Sequence, residues 1–229
     1  MAVVTISRKL GSMGTYVGKK LAQRIGYDYV DKHGLAQIMK EYGFSKFDSV
    51  YETMPTLKDY FDQYRDSTIR FLATVIMAVA QHDNVVIAGR GSFGLLHDYS
   101  DVVNVRITAS EQCRINRVME SRDITEADAR SLVLQNDLIR RSFVESDFRF
   151  NYANTKDFNL LFDTGFVHPD LCVDWLEQVL SKNWMCETER KGASVKSIEV
   201  EPVLQGHVKE MLALLQPQDL EIPYQIEQC

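Results

Sequence analysis

The chain has 229 residues, 45% of them hydrophobic, and 26 Lys and Arg against 32 Asp and Glu give a net charge of -6. That is enough apolar material for a real core, in one large domain or in a domain with an appendage, and the acidic balance speaks against polynucleotide binding while allowing a local basic cleft for a small phosphorylated ligand. Cys113, Cys172, Cys186 and Cys229 lack C-x-x-C spacing, so neither a zinc site nor a disulfide framework is expected; "FLATVIMAVA" is about half the length that crosses a bilayer, and a cytoplasmic protein without membrane contact is the expectation.

The pattern opens on a β-branched run at 2–6, continues with a weaker one at 27–31, and then predicts a long helix from about Thr56 to Gln81 that ends in an apolar patch. Tyr42, Phe44, Phe47, Tyr51, Tyr60, Phe61, Tyr64 and Phe71, spread over this stretch, read as packing residues, one of which can stack on a base. Further β-branched runs follow at 84–89, 102–109 and 158–164. Runs that are apolar on both faces and separated by helical patterns predict a five-stranded parallel sheet covered on each side, a three-layer α/β/α fold. Ser110 caps the helix after the fourth run, Thr125 and Asp128 form a capping box for the next, and Pro169 stands early in a last amphipathic helix of the domain. Residues 186–197 are polar and read as a linker. Residues 198–229 then hold one amphipathic helix and a tail, whose apolar face must pack on the body or on a second copy, so that a homodimer through this segment is one expectation.

The stretch "TISRKLGSMGTYVGKKLAQRIG" (5–26) looks like a phosphate-binding loop but breaks the G-x-x-x-x-G-K-[ST] rule. Counting back from Gly18-Lys19 puts Met13 where the first glycine belongs. Val17, Leu21 and Ile25 form an apolar stripe at i, i+4 and i+8, so the helix starts near Gly14 or Thr15, and Gly18-Lys19 lies a full turn too late. The working loop is therefore "SRKLGSMGT", with Gly14 in the lysine's place and Thr15 in that of the magnesium-binding hydroxyl. A plain strand-to-helix turn with Ser12 as a cap fits the same residues.

With the loop so placed, the chain resembles the cytidylate kinase-like family of P-loop proteins, relatives of nucleoside monophosphate kinases. The matching residues are "TISRKLGSMGTYVGKKLAQRIGYDYVDK", "VVIAGRGS" (85–92), "VRITASEQCRINRVMESRDITEADA" (105–129), "NDLIRRSF" (136–143) and "FNLLFDTG" (158–165), and the likeness covers roughly residues 1–183. It implies a P-loop NTPase domain over 1–185 with a helical lid, and an ATP- and magnesium-dependent transfer of a phosphoryl group to a (d)CMP-like acceptor. Two departures stand out: Met13 replaces the second glycine of the family's G-S-G-G turn, and Gly14 replaces the lysine of orthodox monophosphate kinases.

On that resemblance, Lys9, Gly11, Ser12, Met13, Gly14 and Thr15 form the donor-phosphate loop, with Arg8 or Lys9 supplying the missing charge. Arg117, Arg140 and Arg141 are the candidate lid cations, since a guanidinium fork binds phosphate oxygens bidentately, whereas Arg114, Arg122 and Arg130 read as solvated helix faces. Arg140 follows Asp137 by three residues, so an i, i+3 salt bridge competes with a lid role. Asp31 and Arg90 end parallel strands, where ligands bind in this architecture. Asp31 is a base contact or a helix cap, and Arg90 an acceptor-phosphate ligand or a partner of Asp98. Asp163 holds magnesium-bound water or caps the next segment. His33, His82, His97, His168 and His207 have no metal-ligand spacing, and no G-x-S-x-G elbow supports hydrolase chemistry. Three readings stand: a kinase acting on nucleotides, a kinase-fold module that binds a nucleotide or a partner without transfer, and, behind these, a kinase of some other small hydroxyl or phosphate compound.

Overall fold

In a computed structural model, residues 2–47, 50, 53, 62–181 and 192–215 are described. The expected helix start at Thr56, three of the aromatics (Tyr51, Tyr60 and Phe61), Cys186, Cys229, the first part of the linker and the tail beyond 215 lie outside them.

Five parallel strands, β1 (Val3–Arg8), β2 (Asp28–Val30), β3 (Val85–Ala88), β4 (Val102–Thr108) and β5 (Leu160–Asp163), lie in the order β2-β3-β1-β4-β5. All four pairings are parallel, with Val4 opposite Val86 on one side and Val103 on the other. The three central strands are almost wholly buried, as their unbroken β-branched texture requires. β4 also hides polar atoms that its texture did not announce. Thr5 Oγ1 donates to Asn104 Oδ1 (2.5 Å), and Asn104 Nδ2 donates to the Phe93 carbonyl, so the polar side chains inside the sheet satisfy one another.

One face of the sheet is covered by α1 (Gly14–Ile25) and α7 (Pro169–Ser181), the other by α2 (Lys32–Glu41) and α3 (Gln63–His82). α1 begins at Gly14, where the apolar stripe puts it, with Val17 and Leu21 fully buried. Gly18 faces the sheet between Ile6 and Tyr29, and Lys20 pairs with Asp170 (2.7 Å) and Tyr16 (2.8 Å), so Gly18 serves packing of α1 on the sheet and Lys20 joins α1 to α7.

α4 (Ser92–Leu95) is a single turn after β3. α5 (Glu111–Arg122) and α6 (Glu126–Ser142) form the helical arm expected as a lid, capped by Ser110 and Thr125 as the sequence predicts. A small core of Leu10, Ile115, Val118, Ala129 and Val133 fixes this arm to the loop after β1. α6 ends in a π turn, Phe143–Asp147.

α8 (Pro202–Leu214) packs Leu204, Val208, Met211 and Leu212 on the core shared by α2 and α3, so its apolar face is covered by its own chain. The stretch before it is docked as well: Asp101 accepts from Ser194 Oγ (2.5 Å) and from Val195 N–H (2.9 Å), and Val195 is fully buried. No helix among the described residues is long and apolar enough to cross a membrane.

Candidate functional site

Parallel strands deliver their carboxyl ends to one edge, and β1 lies at the centre of the sheet, where the winding changes sides. A cavity opens at that edge. Its walls include Arg8 from the end of β1, Gly89 and Arg90 after β3, Arg140 from α6, and Val144 from the π turn; Phe93 and Tyr152 give it an aromatic side. Three arginines distant in sequence are thus gathered in one concavity. Like charges held together favour a multiply charged anion.

Arg8 is the hub of this arrangement. Its Nε donates to Thr15 Oγ1 (3.4 Å), at the first turn of α1, and its backbone carbonyl accepts from Arg140 Nη1 (2.5 Å). The far end of the guanidinium lies against Gly89, where an added Cβ would fall on Nη1, and Gly89 has φ +80°. The positive φ favours glycine there, and a Cβ would oblige the guanidinium to move. The Arg8 charge also reaches Asp31. Burial alone would push that carboxyl up, but the N–H of His33 and the charge of Arg8 outweigh it, and the net result lies below the usual aspartate value. Asp31 Oδ1 accepts from His33 N–H (2.8 Å) and caps α2.

The residues expected to form the phosphate loop lie at the N-terminus of α1, where backbone N–H groups and the positive end of the helix dipole meet. Lys9 O accepts from both the N–H (3.2 Å) and the Oγ (2.8 Å) of Ser12, closing a tight turn. Met13 is the N-cap residue of α1 at φ 61°, ψ 18°, the left-handed region, and only 4% exposed. Its side chain enters the core layer that holds Ile6 and Val17 and does not line the cavity. The bulk of the side chain leaves the loop by that route, and the backbone carries the strain of replacing a glycine. Gly11, at φ +76°, lies where a Cβ would press on the backbone carbonyl of Arg114.

The remaining cations go elsewhere. Arg114, expected on a solvated face, is 3% exposed: it grips Asp137 with two bonds (3.1 and 2.8 Å) and donates to the Leu10 carbonyl (3.2 Å). The reading by helix face failed because α5 packs on the loop after β1 and on α6, and Arg114 is enclosed between them. Asp137 is taken up by Arg114 and by Lys9 (3.4 Å), which leaves Arg140 to the cavity rather than to an i, i+3 bridge. Arg117 donates to the Gly11 carbonyl (3.1 Å) and to Thr164 through Oγ1 (3.0 Å) and O (2.7 Å), tying the loop to the end of β5. Arg141 reaches Glu145 (3.3 Å) on the outside, and Arg130 is an exposed partner of Glu111 and Glu126, as its solvated reading expects. Asp98 pairs with His97 (3.2 Å), and Arg90 lines the cavity. Asp163 Oδ1 accepts from Gly165 N–H (2.9 Å), which is the capping alternative.

Residues that sequence reading passed over complete the site. Thr164 is buried, and its hydroxyl donates to the Ser12 carbonyl (2.8 Å); only its place in "FDTG", at the end of a strand, pointed to it. Phe93, Tyr152 and Val144 carried no motif. Among the described residues no group of three or more His, Cys, Asp or Glu can hold a metal ion by itself.

Residues 3–165 match the model of the cytidylate kinase-like family. The cytidylate kinase of Ignicoccus hospitalis is 25% identical over 181 residues, 79% of this chain and 99% of that protein. Among solved structures, an uncharacterized protein from Eubacterium ventriosum superposes with a TM-score of 0.59 at 19% identity, over 79% of this chain and 99% of the other. A more distant likeness, TM-score 0.44 at 14% identity over 81% and 96% of the two chains, is to the shikimate kinase of Acinetobacter baumannii in complex with shikimate.

Proposed function

The chain belongs to the cytidylate kinase-like family, and on that premise we propose that it is a nucleoside monophosphate kinase that moves the γ-phosphoryl group of ATP to a (d)CMP-like acceptor. The observation that carries this reading is the meeting of Arg8, Arg90 and Arg140 in one cavity beside the N-terminus of α1. Phosphoryl transfer asks little covalent help of a protein and much positive charge around the migrating group. An oxygen of the acceptor phosphate forms the new O–P bond as the bond from the γ-phosphorus to the β–γ bridging oxygen breaks, and ADP departs.

Arg8 takes the part of the absent loop lysine, since it runs from Thr15 to Gly89 while Lys9 is turned to Asp137. Arg140 lies between donor and acceptor, and Arg90 with the Asp31 end of β2 faces the acceptor. Gly14, Thr15 and the loop N–H groups hold the donor phosphates. Thr15 and Asp163 are the side chains of this chain that would hold a magnesium ion, which would supply positive charge beside the donor phosphates.

A second reading, a nucleotide-binding module without transfer, draws on the turn that Ser12 closes on Lys9 and on the strained Met13. Calorimetry with Mg-ATP and with CMP, dCMP, UMP and AMP, followed by ADP release, separates the two. The kinase reading expects both ligands to bind and ADP to form only when the monophosphate is present, with turnover falling on the order of 10³-fold in Arg140→Ala. Binding of one nucleotide without turnover would decide for the module.

A further inference from the structure

Arg65 and Asp147 form the most deeply buried ion pair among the described residues, with side chains 9% and 7% exposed. The contact is a fork: Arg65 Nε donates to Oδ1 at 3.0 Å and Nη2 to Oδ2 at 2.7 Å. It joins the first turn of α3 to the last residue of the π turn that follows α6.

A buried pair of this kind contributes little net stability, because desolvation offsets the attraction; what it fixes is geometry. The geometry here concerns Arg140. Asp147 follows Arg140 by seven residues, which in an uninterrupted α-helix would put both on one face. The wider π turn breaks that register. Arg140 meets the cavity and Asp147 meets α3, while Phe143 and Val144, inside the π turn, form part of the cavity wall.

We propose that the Arg65–Asp147 pair is a positioning device for Arg140. It locks the π turn, and with it the end of α6, at the rotation that presents the Arg140 guanidinium to a phosphate group shared with Arg8 and Arg90. The phosphate chemistry rests on the function proposed above; the coupling between the ion pair and Arg140 does not need turnover to be observed.

The test replaces both partners by apolar residues of similar size, Arg65→Met with Asp147→Leu, which keeps the contact packed and removes only its direction. Inorganic pyrophosphate is titrated by calorimetry into the full chain, with and without Arg140→Ala, and Tm is followed in parallel. In the wild type, Arg140→Ala weakens pyrophosphate binding by about tenfold, the usual worth of one charge-assisted hydrogen-bonding group. The apolar pair, with Tm unchanged, costs a similar factor, and adding Arg140→Ala to it then changes affinity by less than about twofold, the non-additivity of groups that act as one. An equal loss on Arg140→Ala in both backgrounds, or a wild type whose pyrophosphate affinity does not depend on Arg140, would overturn the proposal. Should the apolar pair fail to fold, Arg65→Lys keeps the charge and loses the fork, and the same cycle is read on it. Coupling without ADP formation from any nucleoside monophosphate would sink the kinase reading and leave the positioning role standing.

Discussion

Two groups of cations flank the loop after β1, and they are put to opposite uses. On the arm side, Arg114 and Arg117 spend their guanidinium groups on the Leu10 and Gly11 carbonyls, on Asp137 and on Thr164, all parts of the protein itself. On the strand-end side, Arg8, Arg90 and Arg140 share a cavity that Phe93 and Tyr152 also line. The residue type is the same, and what differs is placement: Arg114 and Arg117 are fixed between the arm and the loop, whereas the other three line a concavity, Arg140 there donating to the Arg8 carbonyl. An arginine held by three protein acceptors between packed elements has little left for a ligand, whereas guanidinium groups on one cavity wall concentrate positive charge where an anion can enter. Cation count along a lid-like segment is therefore a poor guide to anion binding, and placement on a cavity wall is a better one.

The contrast breaks most visibly at Arg114. Arg114→Ala leaves the Asp137 carboxylate and the Leu10 carbonyl to fend for themselves, and the expected loss is about 3 kcal/mol, toward the low end for a severed buried pair because Asp137 keeps some solvent and Lys9. Urea denaturation measures it. A loss below about 1 kcal/mol with turnover abolished would move Arg114 from the strut group to the working group. On the cavity side, Gly89→Ala puts a Cβ on the Arg8 guanidinium at a residue with φ +80°. Stability should fall by about 1–2 kcal/mol from backbone strain, and, on the kinase reading, turnover on the order of 10²-fold, because a displaced Arg8 no longer spans from Thr15 to Gly89. Unaltered kinetics in a folded Gly89→Ala protein would show that Arg8 does not need this seat.

Much of this was legible in the sequence because periodicity is a local signal. The strands at 3–8 and 102–108, the start of α1 at Gly14 and the caps at Ser110 and Thr125 each follow from neighbours a few residues apart. The site was legible only where a motif marked it. Arg8, Arg90 and Arg140 stood in recognisable strings, but which of them meet depends on strand order, and no periodicity encodes that β3 lies beside β1. Arg114 was misjudged for the same reason, since its burial comes from a loop about a hundred residues earlier. The Arg65–Asp147 pair spans 82 residues and has no local trace at all. Packing partners distant in sequence are the part of the site that only three dimensions reveal.

Met13 stands between the two groups of cations and gives the smallest and most discriminating test. It is held in the left-handed region, a strain of about 1–2 kcal/mol for a residue with a Cβ, and it is kept there by burial of its side chain in the layer of Ile6 and Val17. Met13→Gly removes both terms and adds freedom to the unfolded chain, so the lost burial, about 2 kcal/mol, and the added entropy, about 0.5–1 kcal/mol, exceed the strain relieved. The net loss should be about 1 kcal/mol, read as a modest fall in the urea midpoint. Because the side chain points to the core and the cavity is lined without it, affinity for Mg-ATP should stay within about threefold of the wild type, a shift of under about 1 kcal/mol. A gain of tenfold or more would mean that the methionine, through the backbone it strains, holds the loop closed. The loop would then be the restraint on this protein, and the module reading would gain over the kinase.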